Sequence, residues 1–118
     1  MAWGKGAVSN GLVFLSGAEG IDPSSGKSAS DIQTQTKVAL DKIKSRLEDA
    51  GTDVTQIVKF VAYVVGRENL SDYREARMAW AKENQIQFLN SASTLLLVAG
   101  LAQPELLVEI DVIAEAPE

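Results

Sequence analysis

The chain of 118 residues contains no cysteine and no histidine. The first absence excludes disulfides and thiol nucleophiles, and the second removes imidazole bases. Together they make zinc an unlikely guest on chemical grounds, since carboxylates alone rarely hold it. No loop carries the acidic spacing of a calcium site. No metal and no cofactor is expected. Long apolar runs are missing too, and none approaches the roughly 20 residues of a membrane span. Met1-Ala2-Trp3-Gly4-Lys5 lacks the apolar core of a signal peptide, so the expected location is cytoplasmic. Positive charge is scarce. Eleven Lys and Arg stand against sixteen Asp and Glu, for a net charge of −5. With no basic run to override that balance, a nucleic-acid partner is not expected. Chemistry is left to carboxylates, hydroxyls, lysine, arginine, backbone N–H groups and water.

What is present is enough for one domain, residues 1–118, with 46% apolar residues to build a modest core. Gly6-Ala7-Val8 and Leu12-Val13-Phe14-Leu15 flank Asn10-Gly11, which is the signature of a type I′ hairpin. Asp22-Pro23-Ser24-Ser25-Gly26 is a turn. Ser30 to Ala50 has helical periodicity, with Ile32, Thr36, Ala39, Leu40, Ile43 and Leu47 on one stripe. Ser30 and Gln33 match a capping box, and Gly51 fits the position just past the end. Ile57 to Val65 is apolar enough for a central strand. Leu70 to Asn84 reads as a second helix, capped by Asn69 or Ser71. Thr94 to Ala99 and Leu106 to Ala114 are two further strands. The order ββ-α-β-α-ββ predicts an α+β domain with helices on one face of the sheet. Val61, Tyr63 and Val65 make the other face apolar as well, which points to an oligomer. Only the segment Glu115 to Glu118 looks unstructured.

Glu109 stands out. Strand alternation puts it with Asp111 on the face opposite Val108, Ile110 and Val112. Aliphatic neighbours would partly bury a carboxyl there, raise its pKa and make it a usable acid or base. The competing reading is an exposed face whose charges prevent edge pairing. Paired carboxylates also occur in glycosidases, but no sugar-binding aromatics accompany these two. Arg77 sits where the stripe of Tyr73, Ala76 and Trp80 calls for an apolar residue. It either forks onto a carboxylate in a cleft or packs its stem and leaves its head in water. Ser16-Gly17 ends a strand with backbone N–H groups that could hold an oxyanion, or forms an ordinary turn. Ser93-Thr94 opens a strand after the loop Leu89-Asn90-Ser91-Ala92, where the hydroxyls either bind a ligand or cap the backbone. No base stands near a serine, which excludes a catalytic triad. Gly4, Gly6 and Gly11 make no nucleotide fingerprint, since no helix follows them.

Five stretches in order resemble the Rid (reactive-intermediate deaminase, YjgF-type) family. They are Gly11–Gly17, Ile21–Lys27, Asp31–Thr36, Val58–Tyr63 and Leu107–Ala114. The resemblance implies a chorismate-mutase-like α+β fold, a mixed sheet packed against two helices. It implies a homotrimer around a central barrel, with clefts between subunits. The implied activity is hydrolysis of small enamines or imines to carbonyl compounds and ammonia, without metal or cofactor. The family's water-orienting glutamate matches Glu109, and its Ser-Gly cleft backbone matches Ser16-Gly17. Thr94 is a further expected ligand contact. The family's cleft tyrosine falls near Trp3, and an asparagine position falls at Arg77. The family's carboxylate-binding arginine falls at Ser93. Serine cannot replace a bidentate arginine. Arg77 is therefore expected to turn toward Glu109 and Ser93 in compensation. A non-catalytic ligand-binding or regulatory trimer is the main alternative, and an endoribonuclease the next.

Overall fold

The computed structural model describes residues 3–86 and 91–116. Ten segments build one sheet and its cover. Strands β1 (Gly6–Ser9), β2 (Leu12–Leu15) and β3 (Ala18–Glu19) precede helix α1 (Ile32–Asp49). A 3₁₀ turn at Val54–Gln56 leads into β4 (Ile57–Val65). A second turn at Arg67–Asn69 opens α2 (Leu70–Glu83), and β5 (Ala92–Val98) and β6 (Val108–Glu115) follow. The sheet order is β1-β2-β6-β4-β5, with β3 also paired to β6. The β4–β5 pair is parallel, joined across α2, and the other pairs are antiparallel. This is the expected mixed sheet with two helices. No described helix is long and apolar enough to cross a membrane.

Local chemistry explains the element ends. Asn10 and Gly11 take φ of 52° and 75°, the left-handed pair that a type I′ turn requires. The helix α1 starts one residue later than the capping-box pattern indicated. Its cap is Asp31, whose carboxylate accepts from the Thr34 N–H and O–H at 2.8 Å each. A carboxylate outcompetes a hydroxyl here because it also meets the positive end of the helix dipole. At the far end the Thr52 N–H donates to the Leu47 carbonyl and the Gly51 N–H to that of Glu48. That pair of bonds is a Schellman closure, with Gly51 at φ 83°. Asn69 precedes α2, but its side chain donates to the Val65 carbonyl instead of capping the helix. Strand β3 was not anticipated. Two residues are too short for any periodic signal. The loop expected at Leu89–Ala92 and the expected tail at Glu115–Glu118 lie partly outside the described residues.

Alternation divides the sheet into two faces. Phe60, Ala62 and Val64 of β4 join Val108, Ile110, Val112 and Ala114 of β6 toward the helices. Ile32, Ala39, Leu40, Ile43 and Leu47 of α1, with Tyr73 and Trp80 of α2, close over them. Trp80 Nε1 also donates to Asp41 Oδ1 at 2.8 Å, tying the two helices together. The opposite face carries Val61, Tyr63 and Val65, half-buried, and Phe14 and Leu96, which stay 38% and 44% exposed. Strand β6 runs through the middle of the sheet, which fixes the surroundings of its odd-numbered residues.

Candidate functional site

Glu109 and Asp111 point away from the helices, as alternation along β6 requires. In register, Glu109 is opposite Glu19 of β3 on one side and Tyr63 of β4 on the other. Asp111 is opposite Val61, which is opposite Thr94 of β5. The Tyr63 O–H donates to Asp111 Oδ2 at 3.0 Å. That bond, followed by the negative charge of Asp111, raises the phenol pKa, because ionising the phenol would forfeit the bond and set two anions together.

Gly17 sits directly against this pair. A Cβ built there would run into Glu109 Oε2 and come within 2.9 Å of its Cδ and 3.1 Å of Asp111 Oδ1. The absence of a side chain is what lets the Glu109 carboxyl lie against the backbone. Partial burial there pushes the Glu109 pKa above the ordinary glutamate range. The negative charges of Glu19 and Asp111 push it further the same way. Three acids gathered on one face thus make Glu109 hold a proton more tightly than an isolated glutamate does. Gly17→Ala should displace the end of this flexible side chain toward water. The expected result is an intact fold with a Glu109 pKa moved back down, read from carboxyl carbon shifts in an NMR titration. A Glu109 titration unchanged by the added methyl would contradict the close packing.

The sheet separates the remaining candidates into two groups. Thr94 lies on the Glu109 side, where its Oγ1 accepts from Lys59 Nζ at 2.9 Å. It is two strands away from Asp111 in the same row, roughly 10 Å at ordinary strand spacing. Ser16 adjoins Gly17, but its backbone N–H is taken by the Lys5 carbonyl at 2.8 Å, so it cannot serve an oxyanion. Ser93 is the register partner of Phe60 and faces the helix side. Both Ser93 and Thr94 lie inside β5 instead of opening it.

Arg77 belongs to the helix side as well. Its guanidinium carbon stands 5.9 Å from the Phe60 ring centre and 5.8 Å from that of Tyr73. The expectation that it turns toward Glu109 fails within one chain, because the sheet lies between them. Cation–π attraction to two rings holds the head on the core side. Trp3 is also displaced from Glu109. It packs against the core, and lines a hollow with Val8, Asp49 and Ala50 at the end of α1. One chain therefore assembles Glu109, Gly17 and Thr94 on one face, and leaves Arg77, Ser93 and Trp3 on the other.

Two supporting residues escaped the sequence reading. Tyr63 counted only as apolar strand surface, although its hydroxyl reaches Asp111. Gln35 is fully buried. Its Nε2 donates to the carbonyls of Ala29 at 2.8 Å and Glu105 at 3.1 Å, and its Oε1 accepts from the Leu107 N–H at 2.8 Å. It fixes the chain entering β6, two residues before Glu109. A polar residue next to the apolar stripe of α1 was the available signal.

A family model described as endoribonuclease L-PSP matches residues 1–116. The protein named putative regulator AldR from Lactococcus lactis is 30% identical over 112 residues, which span 94% of this chain and 84% of that one. A 2-iminobutanoate/2-iminopropanoate deaminase from Salmonella typhimurium is 28% identical over 110 residues, 93% of this chain and 84% of that one. The crystal structure of Escherichia coli TdcF superposes with a TM-score of 0.88 at 23% identity, over 99% of this chain and 90% of that one. The match along the whole sheet and both helices leaves one assignment: the chain belongs to the endoribonuclease L-PSP family, that of the YjgF and Rid proteins.

Proposed function

We propose that the protein hydrolyses small reactive enamines or imines, releasing ammonia and a carbonyl compound. One observation carries this reading: Glu109 lies against Gly17 with its proton affinity raised by burial, Glu19 and Asp111. Hydrolysis of an imine needs one water and a group that can move protons in both directions. Water adds to the C=N carbon while Glu109 takes one of its protons. Glu109 delivers that proton to the nitrogen, giving a carbinolamine. It then takes the carbinolamine O–H proton and passes it to the same nitrogen, the C–N bond breaks, and ammonia leaves as the carbonyl forms. A carboxyl whose pKa is shifted toward neutrality suits both halves better than an ordinary one. The name of the Salmonella relative supports the same chemistry. No metal or cofactor enters the balance.

The assembly proposed is a cytoplasmic homotrimer with clefts between subunits. The exposed Phe14 and Leu96 on the Glu109 face support self-association. Ser93 and Arg77 can join Glu109 in one cleft only from a neighbouring copy, since the sheet divides them within a chain. The substrate-binding set proposed is thus Gly17, Thr94, Ser93 and Arg77, with Ser16 contributing through atoms other than its N–H. Trp3 is retained only as a cleft residue supplied across an interface.

A non-catalytic regulatory trimer is the second reading. It is favoured by Ser93, which occupies the place of the family's carboxylate-binding arginine, and by the name of the Lactococcus relative. RNA cleavage, named in the family description, fits poorly with an acidic chain that lacks histidine. Turnover on freshly generated imines, with and without a carboxylate, decides among these readings. The expected result is ammonia release, with a preference for the carboxylate-bearing imine that Arg77→Met removes, because Ser93 offers no cation and Arg77 is the one proposed in its place. Binding of the carbonyl product without turnover of either imine would establish the regulatory reading instead.

A further inference from the structure

Lys5, Lys42 and Arg46 converge on a hollow of about 580 Å³ between α1 and the Asp22–Gly26 turn. It shares no lining residue with the Glu109 site. Lys42 and Arg46 are four residues apart on α1, so both heads reach the same side. Three cations in one place are unexpected in a chain with a net charge of −5.

The acids of the hollow do not explain them. Asp22 Oδ1 accepts from the Ser24 N–H at 2.8 Å and its O–H at 2.7 Å. Asp41 accepts from Trp80 Nε1 at 2.8 Å and from Lys37 Nζ at 3.1 Å. Asp41 is therefore engaged elsewhere, and Asp22, held by Ser24, attracts Lys42 without an ion-pair contact. Among the described residues, the only ion pair is Lys37–Asp41, so none of the three cations has a carboxylate in contact. Lys42 Nζ reaches only a neutral acceptor, the Glu19 carbonyl, at 2.9 Å. Arg46 Nη1 is buried with no hydrogen-bond partner among the described residues. A guanidinium nitrogen buried without an acceptor is costly to the fold. Partial burial, and next the charge of Arg46, hold the Lys42 pKa below the usual lysine range. An anion in the hollow would relieve both strains. Ile21, Pro23 and Val38 supply an apolar wall beside the charges.

We propose that this hollow binds a small organic oxyanion, its head on Lys42 and Arg46 and a short apolar body against Ile21, Pro23 and Val38. The volume suits a small metabolite, and the two neighbouring cations suit one oxyanion group. A phosphate monoester and a carboxylate share this chemistry. None of the residues lining the hollow belongs to the Glu109 site, so its ligand is distinct from the imine.

The test is an amide NMR titration of the full chain with phenyl phosphate and, separately, with 3-phenylpropanoate. Saturable shifts are expected along Ile21–Gly26 and Val38–Arg46, and the tighter probe identifies the head group. Arg46→Met and Lys42→Met should each weaken binding by about tenfold or more, the range of a lost charge-assisted bond. Glu109→Gln should leave it unchanged. Should Arg46→Met fail to fold, Lys42→Met and the exposed Lys5→Met carry the comparison. The proposal is overturned if neither probe gives saturable shifts. It is equally overturned if the shifts centre on Gly17 and Glu109, or if the folded variants bind as the parent does.

Discussion

Glu109→Gln is expected to lower imine turnover by about 10²–10⁴-fold, the range for removing a positioned general acid–base group. The amide keeps the size of the side chain and its seat on Gly17, so the loss isolates the proton. The KM for a slowly reacting imine should change little, because the variant retains the surface and loses only the proton transfer. The same substitution has a second, opposite signature in stability. The Glu109 pKa is raised in the fold, which means that its ionised form is disfavoured there. Its unfavourable contribution is fully present above the folded pKa. It disappears as pH falls below the unfolded value, where both states hold the proton. Glu109→Gln should therefore stabilise the protein at neutral pH, with a gain that fades on acidification. Urea midpoints for parent and variant across this pH range read the effect directly. A variant that loses turnover and also loses stability at neutral pH would mean that Glu109 is a structural anchor.

Gln35→Leu is expected to cost about 2–4 kcal/mol of folding stability. The change removes three hydrogen bonds from a fully buried side chain. It leaves the Ala29 and Glu105 carbonyls and the Leu107 N–H without their partner. The Glu105 carbonyl belongs to an exposed residue and can turn to water, whereas Ala29 and Leu107 are half-buried. A buried group left unsatisfied costs about 1–3 kcal/mol, and such costs add only in part. Leucine fits the volume, so a cavity does not account for the effect. Gly20 packs against the stem of residue 35 and adds a second constraint on shape. Urea unfolding followed by circular dichroism measures the loss. A drop below about 1 kcal/mol would mean that the loops at Ala29 and Glu105 find other partners.

The elements that the sequence reading placed well are those with long periodic signals. Ile32, Leu40 and Leu47 mark α1 because about four turns of helix repeat the pattern. Val108 to Ala114 mark β6 because the alternation continues through the whole strand. That alternation also put Glu109 and Asp111 on one face correctly. It could not tell which face of the sheet α2 would cover. Arg77 and Glu109 consequently looked like neighbours, although β4 and β6 stand between them. Trp3 failed for a similar reason: the resemblance gave its position in the chain but not the side of the β1–β2 hairpin on which it packs. Ser30 lost the cap to Asp31 through a competition between adjacent side chains that a motif does not resolve. The Gly17–Glu109 contact spans more than ninety residues of chain, and only the family pattern joined them beforehand.

The position of β6 has a consequence for how the protein comes into being. Strands β2, β3 and β4 all pair with β6, and no two of these three pair with each other. The β1–β2 hairpin and the β4–β5 pair can form while the chain is being synthesised, but they have no shared edge. They remain two separate pieces until residues 108–115 arrive between them. The apolar faces of Phe60, Ala62 and Val64 then await their closing partner while residues 66–107 are made. The strand that carries the acid is thus also the one that completes the sheet, and the site and the fold come into existence in the same step.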